Sequence, residues 1–207
     1  MRFIHASDLH IDSPLRGLDR YDGAPVERLR SATRSALERL VDKALTERVD
    51  FLLLAGDIYD RDWQDFHTGL FFRGQMVRLE RAGIRCFIVQ GNHDAQGVIS
   101  RQLTLPSNVT VFSSRAAQTI RLDELSVAIH GRSFPEREVK EDLVPSYPPP
   151  VPGFFNIGLL HTSLTGRAGH DTYAPTDLPT LVAKGYDCWA LGHVHAREVL
   201  NERPRIV

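Results

Sequence analysis

Cysteine is scarce in this chain: two in 207 residues. Both, Cys86 and Cys188, sit inside apolar, strand-like runs and read as buried thiols, not as a disulfide. Lysine is scarce too, at Lys43, Lys140 and Lys184 alone among 25 basic residues. The others are arginines, which suit bidentate phosphate contacts, although a genome-wide coding bias explains the skew at least as well. A formal charge of −1 removes any global basic field that would announce nucleic acid. No apolar run approaches the roughly 18 residues of a membrane span, and no basic leader or cleavage site precedes the first strand. These absences point to a cytoplasmic protein with no membrane partner. There is no internal repeat and no low-complexity tail. The length suits one large domain, or a domain with a small appendage, and is enough to bury a core.

What the chain does have is five short polar motifs that each close a hydrophobic run: Asp8-Leu9-His10, Gly56-Asp57, Gly91-Asn92-His93-Asp94, His161, and Gly192-His193-Val194-His195. One such motif is usually a polar turn after a strand. Five strand ends delivering carboxylates, imidazoles and one carboxamide describe a site for two divalent ions. Such a site needs about six to eight N and O ligands around ions roughly 3.5–4 Å apart, with room for water and phosphate. Imidazoles and carboxylates suit Mn, Fe and Zn, and the lack of thiolates argues against a structural zinc. One carboxylate must bridge the ions, and Asp57 is the natural candidate, because Gly56 lets the chain turn just before it. Asn92 offers a neutral carbonyl oxygen. The spacing of Asp8 and His10 puts both on one side if the chain stays extended, and His193 and His195 repeat that device.

The apolar residues of Pro25–Val49 fall at helical spacing, and a second helix is expected over Asp65–Arg81. With strands at Arg2–His5, Phe51–Ala55 and Arg85–Val89, the first half reads β-α-β-α-β, which favours parallel strands covered by helices. The second half reads as short strands at Val109–Phe112, Thr119–Leu122 and Ser126–His130, then Phe155–Leu160 and Asp187–Leu191. Between them, residues 131–153 form a polar, proline-rich stretch that is either a lid or a surface crossover. Pro204–Val207 looks like the start of a strand, which suggests a truncated chain. The inferred architecture is two packed sheets with helices outside.

In order and spacing, Asp-x-His, Gly-Asp-x-x-Asp, Gly-Asn-His-Asp, His and Gly-His-x-His resemble the calcineurin-like metallophosphoesterase superfamily over residues 8–195. The segment from Ile4 to Pro14, with Leu159–Ser163 and Tyr173-Ala174-Pro175, resembles its DNA-repair exonuclease branch, the SbcD and Mre-type nucleases and the YhaO-like group. The resemblance implies an α/β fold, a four-layer α-β-β-α sandwich over residues 1–207, and Mn²⁺-dependent phosphodiester cleavage by a hydroxide shared between two metals. Fe or Zn would also suit the ligands. It assigns Asp8, His10, Asp57 and His195 to one ion, and Asp57, Asn92, His161 and His193 to the other. His93 becomes the non-ligand histidine that assists the leaving oxygen. DNA is the implied substrate, with an SbcC-like ATPase partner and a homodimer as further expectations. The family's C-terminal cap and ATPase-docking segment have no counterpart in these residues. Asp60 stands where archaeal relatives place histidine, which leaves its role open. The rival functions are a phosphodiesterase or phosphatase for small esters and a non-catalytic scaffold. A scaffold has no need of so many converging ligands.

Outside the ligand pattern, His5, His67 and His130 read as core-edge or surface residues. His170 and the arginines Arg16, Arg61, Arg101 and Arg167 are candidates for substrate contact, with solvated surface the default for the arginines.

Overall fold

The structure is a computed structural model that describes residues 1–13, 28, 31–60, 66–95, 103–164 and 172–207. Strands β1 (Phe3–Ala6), β2 (Phe51–Ala55), β3 (Arg85–Val89) and β4 (Val109–Val111) form one sheet in that order, all parallel. Every residue of β2 is buried, because the strand is covered on both faces. Leu52 and Leu54 pack towards helices α1 (Ala32–Glu47) and α2 (Phe66–Arg81), against Leu37, Val41, Phe72 and Met76. Phe51, Leu53 and Ala55 point the other way, into the second sheet. That two-sided burial is why the strand is uniformly apolar instead of alternating.

The second sheet has the spatial order β5 (Gln118–Leu122), β6 (Val127–Gly131), β7 (Phe155–His161), β8 (Cys188–Gly192), β10 (Arg205–Ile206) and β9 (Asn201–Glu202). Its central strands β6, β7, β8 and β10 run parallel, and the edge strands are antiparallel. Val127, Ile129, Ile157, Leu159 and Ala190 meet the first sheet in a continuous apolar layer. Each fully buried large aliphatic side chain in it contributes about 1.5–3 kcal/mol.

The expected helices match α1 and α2 where the chain is described; Pro25 and Asp65, at their expected starts, lie outside the described residues. The strands fall within a residue or two of expectation, and Arg205–Ile206 is the strand expected at the chain's end. Cys86 and Cys188 are buried free thiols.

The stretch 131–153 is a crossover between parallel strands, and it is less polar in its packing than the sequence suggested. Phe134, Val139, Leu143, Val144 and Tyr147 are buried against the outer face of the second sheet. The Tyr147 hydroxyl donates to the Leu159 carbonyl (2.8 Å) and accepts the Arg132 N–H (3.1 Å), pinning the crossover to β7. Its prolines keep it from forming an α-helix. So the fourth layer of the α-β-β-α sandwich, among the described residues, holds only α3 (Leu178–Ala183), a 3₁₀ turn at Val144–Ser146 and irregular chain. No helix of the described residues is long and apolar enough to cross a membrane.

Candidate metal centre

All the parallel strands that feed the motifs end at one rim of the two packed sheets. Beyond β1 come Asp8 and His10, beyond β2 Asp57, beyond β3 Asn92 and His93, at the end of β7 His161, and beyond β8 His193 and His195. Loops at the carboxyl ends of parallel strands are where such folds build sites.

Asp8 and His10 do not share a side through continued extension. β1 stops at Ala6, and both residues adopt left-handed backbone, φ 54° and 41°. What places them is the neighbouring loop: Asp8 N–H donates to Gly56 O (3.0 Å) and His10 N–H to Asp57 O (3.0 Å). Asp57 (φ 53°) and His193 (φ 99°) are left-handed as well. Non-glycine residues at positive φ cost of order 1–3 kcal/mol each and persist where surrounding structure holds them. The same correction applies to the second pair: β8 ends at Gly192, and His193 and His195 go to different clusters.

One cluster is buried. Ligand atoms of Asp57, His161 and His193 lie within 4.8 Å of one another, and none of the three is more than 6% exposed. His161 Nε2 is 3.4 Å from Asp57 Oδ2 and 3.0 Å from Asn92 Oδ1. The other cluster, Asp8, His10 and His195, reaches the surface, with the His195 side chain 57% exposed. Here His10 Nε2 faces His195 Nε2 at 3.3 Å, and His195 Nε2 is 3.6 Å from Asp8 Oδ1. Asp57 lies between them: the oxygen that faces His161 is also 3.9 Å from His10 Nε2. Asp8 further binds the two loops by accepting the His193 N–H on its carboxylate, at 3.0 and 3.1 Å.

The donor set fits a pair of cations. His161 Nδ1–H donates to Ala55 O (2.8 Å), which turns Nε2 towards two oxygens. A ring nitrogen and two oxygens that converge in a buried place need positive charge among them, from a proton or a metal ion. A proton can supply it: burial opposes both charges, yet Asp57 holds His161 protonated above its ordinary range, and His161 draws the Asp57 carboxyl down. Two glycines make the approach possible. A Cβ on Gly56, itself at φ +89°, would sit 2.4 Å from His161 Nδ1, and one on Gly91 would sit 2.3 Å from Asp57 Oδ1.

His93 touches both clusters: its ring meets that of His10 edge-on, with centroids 4.8 Å apart. Its N–H donates to Asp57 Oδ1 (2.9 Å), and its ring Nδ1 is 2.6 Å from Asp60 Oδ1. Asp60 Oδ2 accepts the Ser13 hydroxyl at 2.6 Å. Burial works against the Asp60 charge, but the bonds from Ser13 and His93 hold its carboxyl below the usual range. The role left open for Asp60 is thus placed beside His93. His10, Asp60 and His93 could also hold an ion between them.

Sequence reasoning missed Asp94. This buried carboxylate accepts the N–H groups of Gly91 (3.2 Å), Ile58 (3.2 Å) and Tyr59 (3.0 Å), and so locks the β2 loop to the β3 loop. Burial, then the nearby Asp57 charge, pushes its carboxyl upward. Its place at the end of Gly-Asn-His-Asp is the one available signal. Asp12 is a second omission: it takes Arg34 in a two-pronged ion pair (2.7 and 2.6 Å) and the Thr68 hydroxyl (2.5 Å), anchoring the β1 loop to both helices. His130 is fully buried, not at the core's edge, and bonds Thr119 and Asn156. His5 is half-buried and His67 exposed. His170, Arg16, Arg61, Arg101 and Arg167 lie outside the described residues.

Fold and candidate centre together point to one family. Residues 1–197 match the model of the calcineurin-like phosphoesterases, and the chain belongs to that family, which binds a dinuclear metal centre. Over its whole length it is 36% identical to YhaO of Bacillus subtilis, an uncharacterized metallophosphoesterase, and covers 52% of that protein. It is 24% identical over 94% of its length to the DNA double-strand break repair protein Mre11 of Methanopyrus kandleri, covering 44% of it. To the SbcD component of the SbcCD nuclease of Escherichia coli it is 29% identical over 55% of its length, covering 27% of that component. The chain spans about half, or less, of the length of these relatives.

Proposed function

We propose that this chain is the catalytic domain of a Mn²⁺-dependent phosphodiesterase that cleaves DNA. The observation that carries the proposal is the Asp57 carboxylate lying between a buried and an open cluster of potential ligands, with His93 held beside it by Asp60. Asp8, His10, Asp57 and His195 would hold one ion, and Asp57, Asn92, His161 and His193 the other. When bound, the ions supply Lewis acidity and an activated water for attack on phosphorus.

The chain's own residues do the rest. The Ala55 carbonyl fixes His161 with Nε2 turned into the centre. Asp60 fixes His93 through Nδ1, so that Nε2 is the ring atom left to hold a proton for the departing oxygen. The exposed His195 side of the centre is where a strand would enter. DNA as substrate is supported by relatives that are a double-strand break repair protein and a nuclease component. An ATPase-type partner, a homodimer and a cytoplasmic location complete the proposal.

The test is hydrolysis by the Mn²⁺-loaded chain. Bis(p-nitrophenyl) phosphate should be cleaved slowly, and DNA weakly with a steep loss as salt rises, since phosphate contacts release counterions. Good turnover of p-nitrophenyl phosphate with none of DNA would favour a small-ester enzyme. No hydrolysis of any ester would favour a scaffold.

A further inference from the structure

The β1 loop does more than carry Asp8 and His10. Its last described residue, Ser13, donates its hydroxyl to Asp60 Oδ2 at 2.6 Å, while the other oxygen of that carboxylate holds His93 Nδ1 at 2.6 Å. The two acceptor directions of Asp60 are thus occupied from opposite sides. The Asp60 side chain is 20% and that of His93 19% exposed, so water competes for both ends of the pair. A carboxylate bonded at one oxygen only is free to turn about its last torsion and lose its aim. Ser13 is itself placed firmly. Its N–H closes a turn onto His10 O (3.1 Å), and the preceding Asp12 is anchored to Arg34 and Thr68. None of these anchors uses the Ser13 hydroxyl, so removing it leaves the loop's ties in place.

We propose that Ser13 is a positioning residue: its hydroxyl fixes Asp60, and through Asp60 it fixes the ring of His93 against the metal loops. The inference rests on the catalytic reading of His93 for its consequence in turnover, but the geometry of the pair can be tested without turnover. Ser13 thereby couples the loop that bears Asp8 and His10 to the group that serves the leaving oxygen. One rigid segment sets both distances.

The experiment compares Ser13→Ala, Ser13→Thr and Ser13→Val in the full chain. In Mn²⁺-dependent hydrolysis of bis(p-nitrophenyl) phosphate, Ser13→Ala should lower kcat about tenfold with KM and metal stoichiometry unchanged, the usual scale for losing a hydrogen bond to a charged group. Ser13→Thr should restore most of the loss, and Ser13→Val, the same shape without the hydroxyl, should not. In a His93→Ala background, Ser13→Ala should cost nothing more. The second arm is ¹⁵N and ¹H NMR of the histidine rings. The proton on His93 Nδ1 should exchange with water about tenfold faster in Ser13→Ala and Ser13→Val than in wild type or Ser13→Thr. Unchanged exchange, or an equal loss of kcat with and without His93, overturns the proposal. A wild type that cleaves no diester overturns the catalytic reading instead, and the exchange rates still decide whether Ser13 holds the pair. If Ser13→Ala fails to fold, the threonine–valine contrast gives the same answer.

Discussion

The buried half of the proposed centre, Asp57, Asn92, His161 and His193, and the open half, Asp8, His10 and His195, draw on nearly the same residue types and differ in what surrounds them. In the buried half the tautomer of His161 is set by a backbone carbonyl, and glycines at 56 and 91 leave space that a single Cβ would fill. In the open half the imidazoles of His10 and His195 face each other, and one of them is more than half exposed. The first half is therefore part of the core and is preorganised by packing. The second is held by the hydrogen bonds of its loops and opens to solvent at His195. Substitutions should separate along that line: buried changes should cost fold and metal together, and open changes metal alone.

The largest effect belongs to the residue that both halves share. Asp57→Asn or Asp57→Ala should abolish diester hydrolysis and reduce bound Mn²⁺ from two per chain towards one or none, read by elemental analysis of the purified protein. Native activity with two ions in Asp57→Ala would break the comparison at its root. Next comes His93→Ala, which belongs to neither half. It should keep both ions and lose about 10²–10⁴ in turnover. Loss of an ion in this variant would make His93 a ligand.

The contrast between halves is sharpened by Gly91→Ala against His195→Ala. The first places a methyl 2.3 Å from Asp57 Oδ1 and 2.8 Å from His161 Nε2. It should lower stability by about 1–3 kcal/mol in denaturant melts, as overpacking does, and weaken metal binding with it. The second should leave the metal-free stability within about 0.5 kcal/mol of wild type and still lose one ion. Equal destabilisation by the two would erase the distinction.

The smallest effect lies beneath the open half, at His5 on β1. Burial pushes its imidazole down from 6.5 to about 4, and its Nε2 is buried without a partner among the described residues. An unfolded chain takes up a proton here as pH falls below about 6.5, whereas the folded chain does so only near 4. Stability from this group is therefore intact above the upper value and is lost across that window. His5→Gln should flatten the difference between urea melts of the metal-free protein at neutral and mildly acidic pH. An unchanged pH slope would show that His5 is not buried in the neutral form.

Much of this is legible in the sequence because strand ends carry their own signal. An apolar run that stops at a glycine or polar residue names the loop where a ligand can stand, and the run covered on both faces, Phe51–Ala55, is recognisable without its neighbours. What stays hidden depends on residues distant in sequence. Nothing local to Asp94 says that it accepts N–H groups from Ile58 and Tyr59, and nothing local to Ser13 says that Asp60 is its partner. The left-handed turns at Asp8 and His10 follow from bonds to the β2 loop, which no reading of β1 by itself can supply. The crossover after β6 reads as polar because its charged residues and prolines outnumber the few side chains that it buries.

Anomalous scattering at the manganese edge from crystals grown with Mn²⁺ tests the central claim most directly. Two peaks should be found roughly 3.5–4 Å apart, with Asp57 touching both, one bounded by Asp8, His10 and His195 and the other by Asn92, His161 and His193. A single peak, or a peak held by His93 and Asp60 in place of either, would contradict the two-ion centre.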